Sequence, residues 1–236
     1  MFPFVIPWDD ARQNAVNVAA LNPAPIDASR RVSVRGSHFF DATGRRVRFL
    51  GTNFTFSADF PNKPHAAKVA ARMHKYGFNI VRLHHMDMQK APNGIFDPKY
   101  PDMRHLDADQ LDRLDYLLYQ FRKHGIYVDL NLHVSRAFGA ADGFTETDKL
   151  PELGKVTAYF EPRMIELQRE YARDLLTHYN PYSRTRWADD PTVAVIELNN
   201  EDTLVGAAWS DTLRGLPEPY HAELANQWNR WLRTRY

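Results

Sequence analysis

No cysteine occurs among the 236 residues, which excludes disulfides, thiol nucleophiles and cysteine-bound zinc but leaves the compartment open. Neither charge sign dominates. Thirty Lys plus Arg stand against 29 Asp plus Glu, so no overall field recruits nucleic acid or a membrane. No apolar run is long enough to span a bilayer. The opening MFPFVIPWDD lacks a basic segment and places Asp9 and Asp10 early, unlike a secretory signal. The turn GTNFTF after the first expected core strand holds one glycine, too few for the phosphate-cradling loop of a dinucleotide fold.

What is present suffices for one sizeable core, with 44% hydrophobic residues in a chain of single-domain length. Residues 1–30, with Pro3, Pro7, Pro23 and Pro25, read as an irregular arm laid over a neighbouring surface. Residues 31–236 read as one domain. VSVRGSHFFDATGRRVRFL contains two β-type runs around a Thr-Gly turn and predicts a hairpin leading into the first core strand.

Four strand-loop-helix units follow. The strands are VRFLGTN, NIVRLHH, IYVDLNLH and TVAVIELNN. Ala66, Val69, Ala70 and Met73 share the face of a first helix fronted by Pro64 and closed by Gly77. Asp107 and Gln110 predict a capping box for a second helix, with Leu111, Leu114, Leu118 and Phe121 inward and Gly125 at its end. Met164, Leu167, Tyr171 and Leu175 mark a third, and Leu224, Trp228, Trp231 and Leu232 a fourth. Strands alternating with helices imply parallel pairing, and the long loops leave the strands' carboxyl ends. These features predict an α/β chain of (β/α)8 TIM-barrel type with about four βα units, a half barrel whose carboxyl-end face would carry the site.

At those strand ends stand Asn53, then Arg82 with His84 and His85, then Asn131 and His133, then Asn199, Asn200, Glu201 and Asp202. Polar groups ending several buried strands are costly unless they bond to one another or to a ligand. The residue types suit glycoside hydrolysis, in which one carboxylic acid protonates the departing oxygen and another carboxylate acts from the opposite side. Glu201 is the candidate acid/base. Asn200 would hold a sugar hydroxyl, Arg82 would keep a neighbouring carboxylate ionised, and His133 would orient the substrate. Glu197, deeper in its strand, is expected to pair with Arg82. Strand alternation places only one of His84 and His85 toward the mouth, and adjacent histidines lack the spacing that puts two metal ligands on one side. No metal and no cofactor is therefore expected. Phe96, Tyr100, Phe138, Phe144 and Trp209 are loop aromatics that could stack on sugar rings or simply pack the loops.

FLGTNF, NIVRLHHMD, GIYVDLNLH and DDPTVAVIELNNED resemble the first four strands of clan A glycoside hydrolases, most closely family 5, the cellulase and mannanase family. The resemblance covers roughly residues 35–235. It implies a retaining hydrolase of β-linked oligo- or polysaccharide, with the acid/base at Glu201 beside Asn200, the strand-two arginine at Arg82 and the strand-three histidine at His133. His84, His85, Asn53 and Trp209 complete the candidate substrate contacts. Asp202 departs from the proline common after the glutamate. The family's nucleophile, a glutamate ending the seventh strand, is expected outside this chain, because Asp211, Glu218 and Glu223 end no strand. The sequence leaves the location unknown, and the resemblance makes an extracellular or periplasmic one plausible. The alternative is a non-catalytic half barrel that binds sugar and forms a homodimer through its open sheet edges.

Overall fold

A computed structural model describes residues 5–10, 12–134, 136–151 and 154–236. Ahead of the main sheet lies a small antiparallel one, β1 (Ser33–Arg35), β2 (His38–Phe40) and β3 (Arg46–Val47), in the order β1-β2-β3. It has three strands where a hairpin was expected. Residues 47–53 also do not form one strand. Strand structure stops after Val47, and the core strand β4 (Gly51–Thr55) begins only at Gly51.

The remaining elements are α1 (Lys63–Lys75), β5 (Ile80–His84), α2 (Ala108–Lys123), β6 (Tyr127–Asn131), α3 (Pro162–Thr177), the short antiparallel pair β7 (Tyr179–Asn180) and β8 (Thr185–Arg186), β9 (Val193–Glu197), α4 (Leu204–Trp209) and α5 (Glu218–Arg235). β4, β5, β6 and β9 form one sheet in that order, all parallel. This is the arrangement of four consecutive units of a (β/α)8 barrel.

Alternation along the strands gives the sheet two unlike faces. Val81, Leu83, Val128 and Leu130 are fully buried in one apolar cluster with Ala66, Ala70, Leu114, Leu118, Phe121 and Leu175 from the three helices. The opposite face carries two rows set by the register. Asn53, Arg82, Asp129 and Val195 pair in sequence across the sheet. One step nearer the carboxyl ends come Thr55 opposite His84, and Asn131 opposite Glu197.

The helix ends follow local chemistry with one departure. Asn62 caps α1 through a bond from His65 N, and Asp107 caps α2 through Gln110 N, 2.9 Å. Gln110 does not complete a capping box. Its amide donates instead to Pro92 O and Gly94 O, both at 3.0 Å, bracing the loop after β5. Gly125 closes α2 at φ 69°, a conformation natural to glycine.

The arm is fastened at several points. Lys75, 3% exposed, donates to Asp10 Oδ2 at 2.9 Å and to Asp10 O at 3.1 Å. Asn22 donates to Gly77 O, and buried Ile26 bonds to Arg122 O through its backbone.

At the other end, α5 departs from expectation: only Tyr220 is buried, while Trp228 and Trp231 stack at 5.1 Å with much of each ring in solvent. No described helix is long and apolar enough to cross a membrane.

Candidate active site

The polar face of the sheet converges on one arginine. Arg82 grips Glu197 with two parallel bonds, Nε to Oε1 at 2.9 Å and an Nη to Oε2 at 2.6 Å, and reaches Asn200 Oδ1 at 2.9 Å. Only a planar guanidinium can hold a carboxylate bidentately and an amide together. Asn131 adds a further bond from Nδ2 to Glu197 Oε2. Glu197 is therefore paired with Arg82 in the way its depth in the strand suggests. Those bonds hold its carboxyl below the usual range, against the opposing effect of burial.

Asp129, beside Arg82 in the register, behaves oppositely. Burial, then the negative charge of Glu197 and a hydrogen bond to it, push its carboxyl up to about 7, although Arg82 opposes the rise. Two neighbouring carboxyl groups cannot both ionise cheaply, so Glu197 ionises first and Asp129 holds its proton until the pH approaches about 7.

Where β9 ends, the chain turns so that Asn200 N donates to His133 O at 2.9 Å, tying the fourth strand end to the third. Glu201 follows at φ 46° and is exposed. Its charge is felt by Arg82, His84 and His85. Asp202 does not face this centre. Its carboxylate accepts from Val156 N at 2.9 and 3.0 Å, and its carbonyl accepts from Tyr159 OH at 2.6 Å, so the residue anchors the loop before α3 to the end of β9.

His133 is held from behind. Its Nδ1 lies 3.3 Å from Asp87 Oδ2, which also accepts from Val134 N at 3.1 Å. Asp87 is fully buried and stands directly behind the imidazole ring.

The two neighbouring histidines depart from the alternation rule. β5 ends at His84, and His85 adopts φ 69°, which brings the rings to 3.8 Å between centroids instead of onto opposite faces. Phe56 stacks on His85 at 4.6 Å. Burial, then the neighbouring His85 and Arg82 charges, pull His84 down to about 4, and burial likewise lowers His85. Neutral rings are left beside the site at neutral pH. Among the described residues no three His, Asp or Glu side chains converge closely enough to hold a metal ion.

The remaining candidates are more scattered. Asn53 lies opposite Arg82 on the exposed edge strand β4. Trp209, at the end of α4, is 86% exposed. Phe96, Phe138 and Phe144 are buried and cannot present a stacking face: Phe96 and Phe138 sandwich the buried Arg136 guanidinium, and Phe144 packs edge-on against Phe138. Tyr100 stacks on His105. Sequence reasoning missed Asp129. Alternation in YVDLN would have put Asp129 on the polar face with Asn131.

The sequence profile of the cellulase family, glycosyl hydrolase family 5, matches residues 40–234. Among solved structures, an endo-1,4-beta-mannanase from Rhizomucor miehei is similar at 22% identity and TM-score 0.56, over 72% of this chain and 48% of that one. An endo-beta-1,4-mannanase from Thermotoga petrophila is similar at 21% identity and TM-score 0.52, over 72% and 38%. A family 5 mannosidase from Rhizomucor miehei is similar at 14% identity and TM-score 0.57, over 83% and 55%. The chain thus spans about half the length of these structures or less. Comparison with curated protein sequences finds no match.

Proposed function

This chain belongs to glycosyl hydrolase family 5, and on that premise we propose that it carries the acid/base half of a retaining site for β-linked polysaccharide, with Glu201 as proton donor. The observation that supports this most is the Arg82 grip on Asn200, which sets the residue before Glu201 at the carboxyl end of the sheet. In this reading Glu201 protonates the glycosidic oxygen as the bond breaks. It then takes a proton from the water that releases the sugar from a covalent intermediate. Asn200, its carbonyl held by Arg82, keeps its NH2 free to donate to a sugar hydroxyl. His133 is buried, its Nε2 out of reach of solvent, and its carbonyl holds Asn200 N, so in this reading it positions the strand end that carries Asn200 and Glu201. The carboxylate that attacks the anomeric carbon is assigned to barrel strands outside these residues, because Glu197 is engaged by Arg82 and Asn131. Mannan is the first substrate to try, in view of the mannanases of like fold.

The test is hydrolysis of β-mannan, cellulose and aryl β-glycosides by the protein expressed from its whole reading frame, with and without Glu201→Gln. Loss of an acid/base group should lower kcat by about 10²–10⁴-fold on substrates with poor leaving groups and much less on activated aryl glycosides. Equal activity of the variant on mannan would remove Glu201 from the chemistry.

A further inference from the structure

A cavity lies at the end of the sheet opposite the candidate active site. It has a volume of about 520 Å³ and sits between the arm (Leu21, Asn22, Pro23), the chain around β3 (Arg45, Arg46, Val47, Arg48) and the starts of β5 and β6 (Asn79, Gly125, Tyr127), with Arg30 also on its wall. The candidate active site faces the strands' carboxyl ends, whereas this cavity faces their amino ends, so the two are separated by the sheet itself.

Its charge is unlike that of the chain as a whole. Between Ala28 and Leu50 stand six of the 30 basic residues and one of the 29 acidic ones. That single acid, Asp41, is consumed by Arg30 at 3.3 Å. Arg45, Arg46 and Arg48 are exposed and have no acidic partner among the described residues, and the one side-chain contact of Arg46 is to His38 Nδ1 at 3.1 Å. Like charges sharing a cavity repel, a cost the fold keeps uncompensated.

The cradle is also rigidly built. Asp41 Oδ1 accepts from Thr43 N, Thr43 Oγ1 and Arg45 N, fixing the turn that presents Arg45 and Arg46. Asn79 clamps the chain at the other side of the cavity, donating to Arg48 O at 2.8 Å and accepting from Leu50 N at 2.7 Å. The backbones of Arg45 and Arg48 are held by groups that do not touch their guanidinium heads, which pre-organises these positions for a ligand from outside. Guanidinium forks match the paired oxygens of carboxylate and phosphate groups, and the cavity lies within the range that encloses a small molecule.

We propose that this cavity binds a small multivalent oxyanion, whose phosphate or carboxylate groups are shared among Arg45, Arg46 and Arg48. The proposal is independent of the assignment of Glu201.

Titration calorimetry at low ionic strength tests it, with pyrophosphate as the phosphate probe and trigalacturonate as the carboxylate probe. Saturable binding of one ligand per chain is expected, weakening steeply as salt is added. The Arg45→Ala/Arg48→Ala double variant should bind at least about tenfold more weakly, since each charge-assisted bond lost is substantial. A control with equal loss of charge elsewhere, Arg233→Ala/Arg235→Ala on α5, should bind like the parent. Preference for one probe identifies which oxyanion the site takes. Absence of saturable binding for both probes, unchanged affinity in the Arg45/Arg48 variant, or equal weakening in the control would each overturn the proposal.

Discussion

Asp129→Asn is the most informative single change at the polar face of the sheet. The substitution keeps shape and retains an N–H donor toward Glu197, but it removes the ionisation that burial and Glu197 resist. The sign follows from linkage. Asp129 is raised from 3.8 to about 7, so its favourable contribution is complete below pH 3.8 and is lost as pH climbs through about 7. The asparagine variant has nothing to lose in that window. Taken at face value the shift corresponds to about 4 kcal/mol. Asp129 is only half-buried and faces water at the open side of the sheet, so screening reduces this to about 1–2 kcal/mol. His84 also titrates in this range, with opposite sign, since its ring is lowered to about 4; both proteins contain it, and it cancels in the difference. Urea denaturation of parent and variant at pH 4.5, 6 and 8 is the assay. The stability of the variant relative to the parent should grow by about 1–2 kcal/mol from the lowest to the highest pH, or about 2–6 °C in Tm for a domain of this size. A difference that stays constant across the three pH values would refute the shared-proton reading of Asp129 and Glu197.

Asp115→Ala should destabilise the chain by about 3 kcal/mol, read by the same denaturation, because this buried carboxylate accepts from Trp187 Nε1 at 2.8 Å and lies 2.7 Å from His178 Nε2; a loss below about 1 kcal/mol would mean the network carries little. The sheet edges β4 and β9 are unpaired, with Leu50, Ile196 and Leu198 exposed at 57%, 40% and 72%. Sedimentation velocity on this chain alone should therefore show concentration-dependent self-association, and a monomer at every concentration would count against it.

Much of this architecture was legible because it depends on periodicity. Val81 and Leu83 alternate with Arg82, and Met164, Leu167, Tyr171 and Leu175 recur at helical spacing; burial followed both patterns. Pairing of Glu197 with Arg82 was legible for a different reason: an acid within a strand needs a cation, and the register brings that cation within reach. What escaped depends on single backbone dihedrals or on long-range choice among partners. His85 at φ 69° cannot be read from a strand pattern, and it decides whether two histidine rings diverge or lie side by side. Gln110 had the spacing of a capping box, yet two loop carbonyls distant in sequence captured its amide. Phe96 and Phe138 read as loop aromatics, yet both rings pack on the buried Arg136 guanidinium, a partner no local pattern announces. The amphipathic pattern of α5 was read correctly as a helix, but nothing in the pattern says whether its tryptophans meet a neighbour.

The polar face argues for a chain of dependence. Glu197 sits on β9, Arg82 on β5, Asn131 on β6, and Asn200 just past β9, so one hydrogen-bonded cluster spans three of the four strands. Desolvating any one of these groups alone would be costly, and only together do they offset that cost. The same cluster fixes Asn200, and through the next peptide it sets where Glu201 emerges. Glu201 itself is exposed, and the described side chains do not lock its carboxylate. Its position is therefore inherited from the buried cluster behind it, while its side chain remains unbonded. The role we propose for Glu201, giving a proton and then taking one, would need that combination of an anchored backbone and an unencumbered carboxyl group.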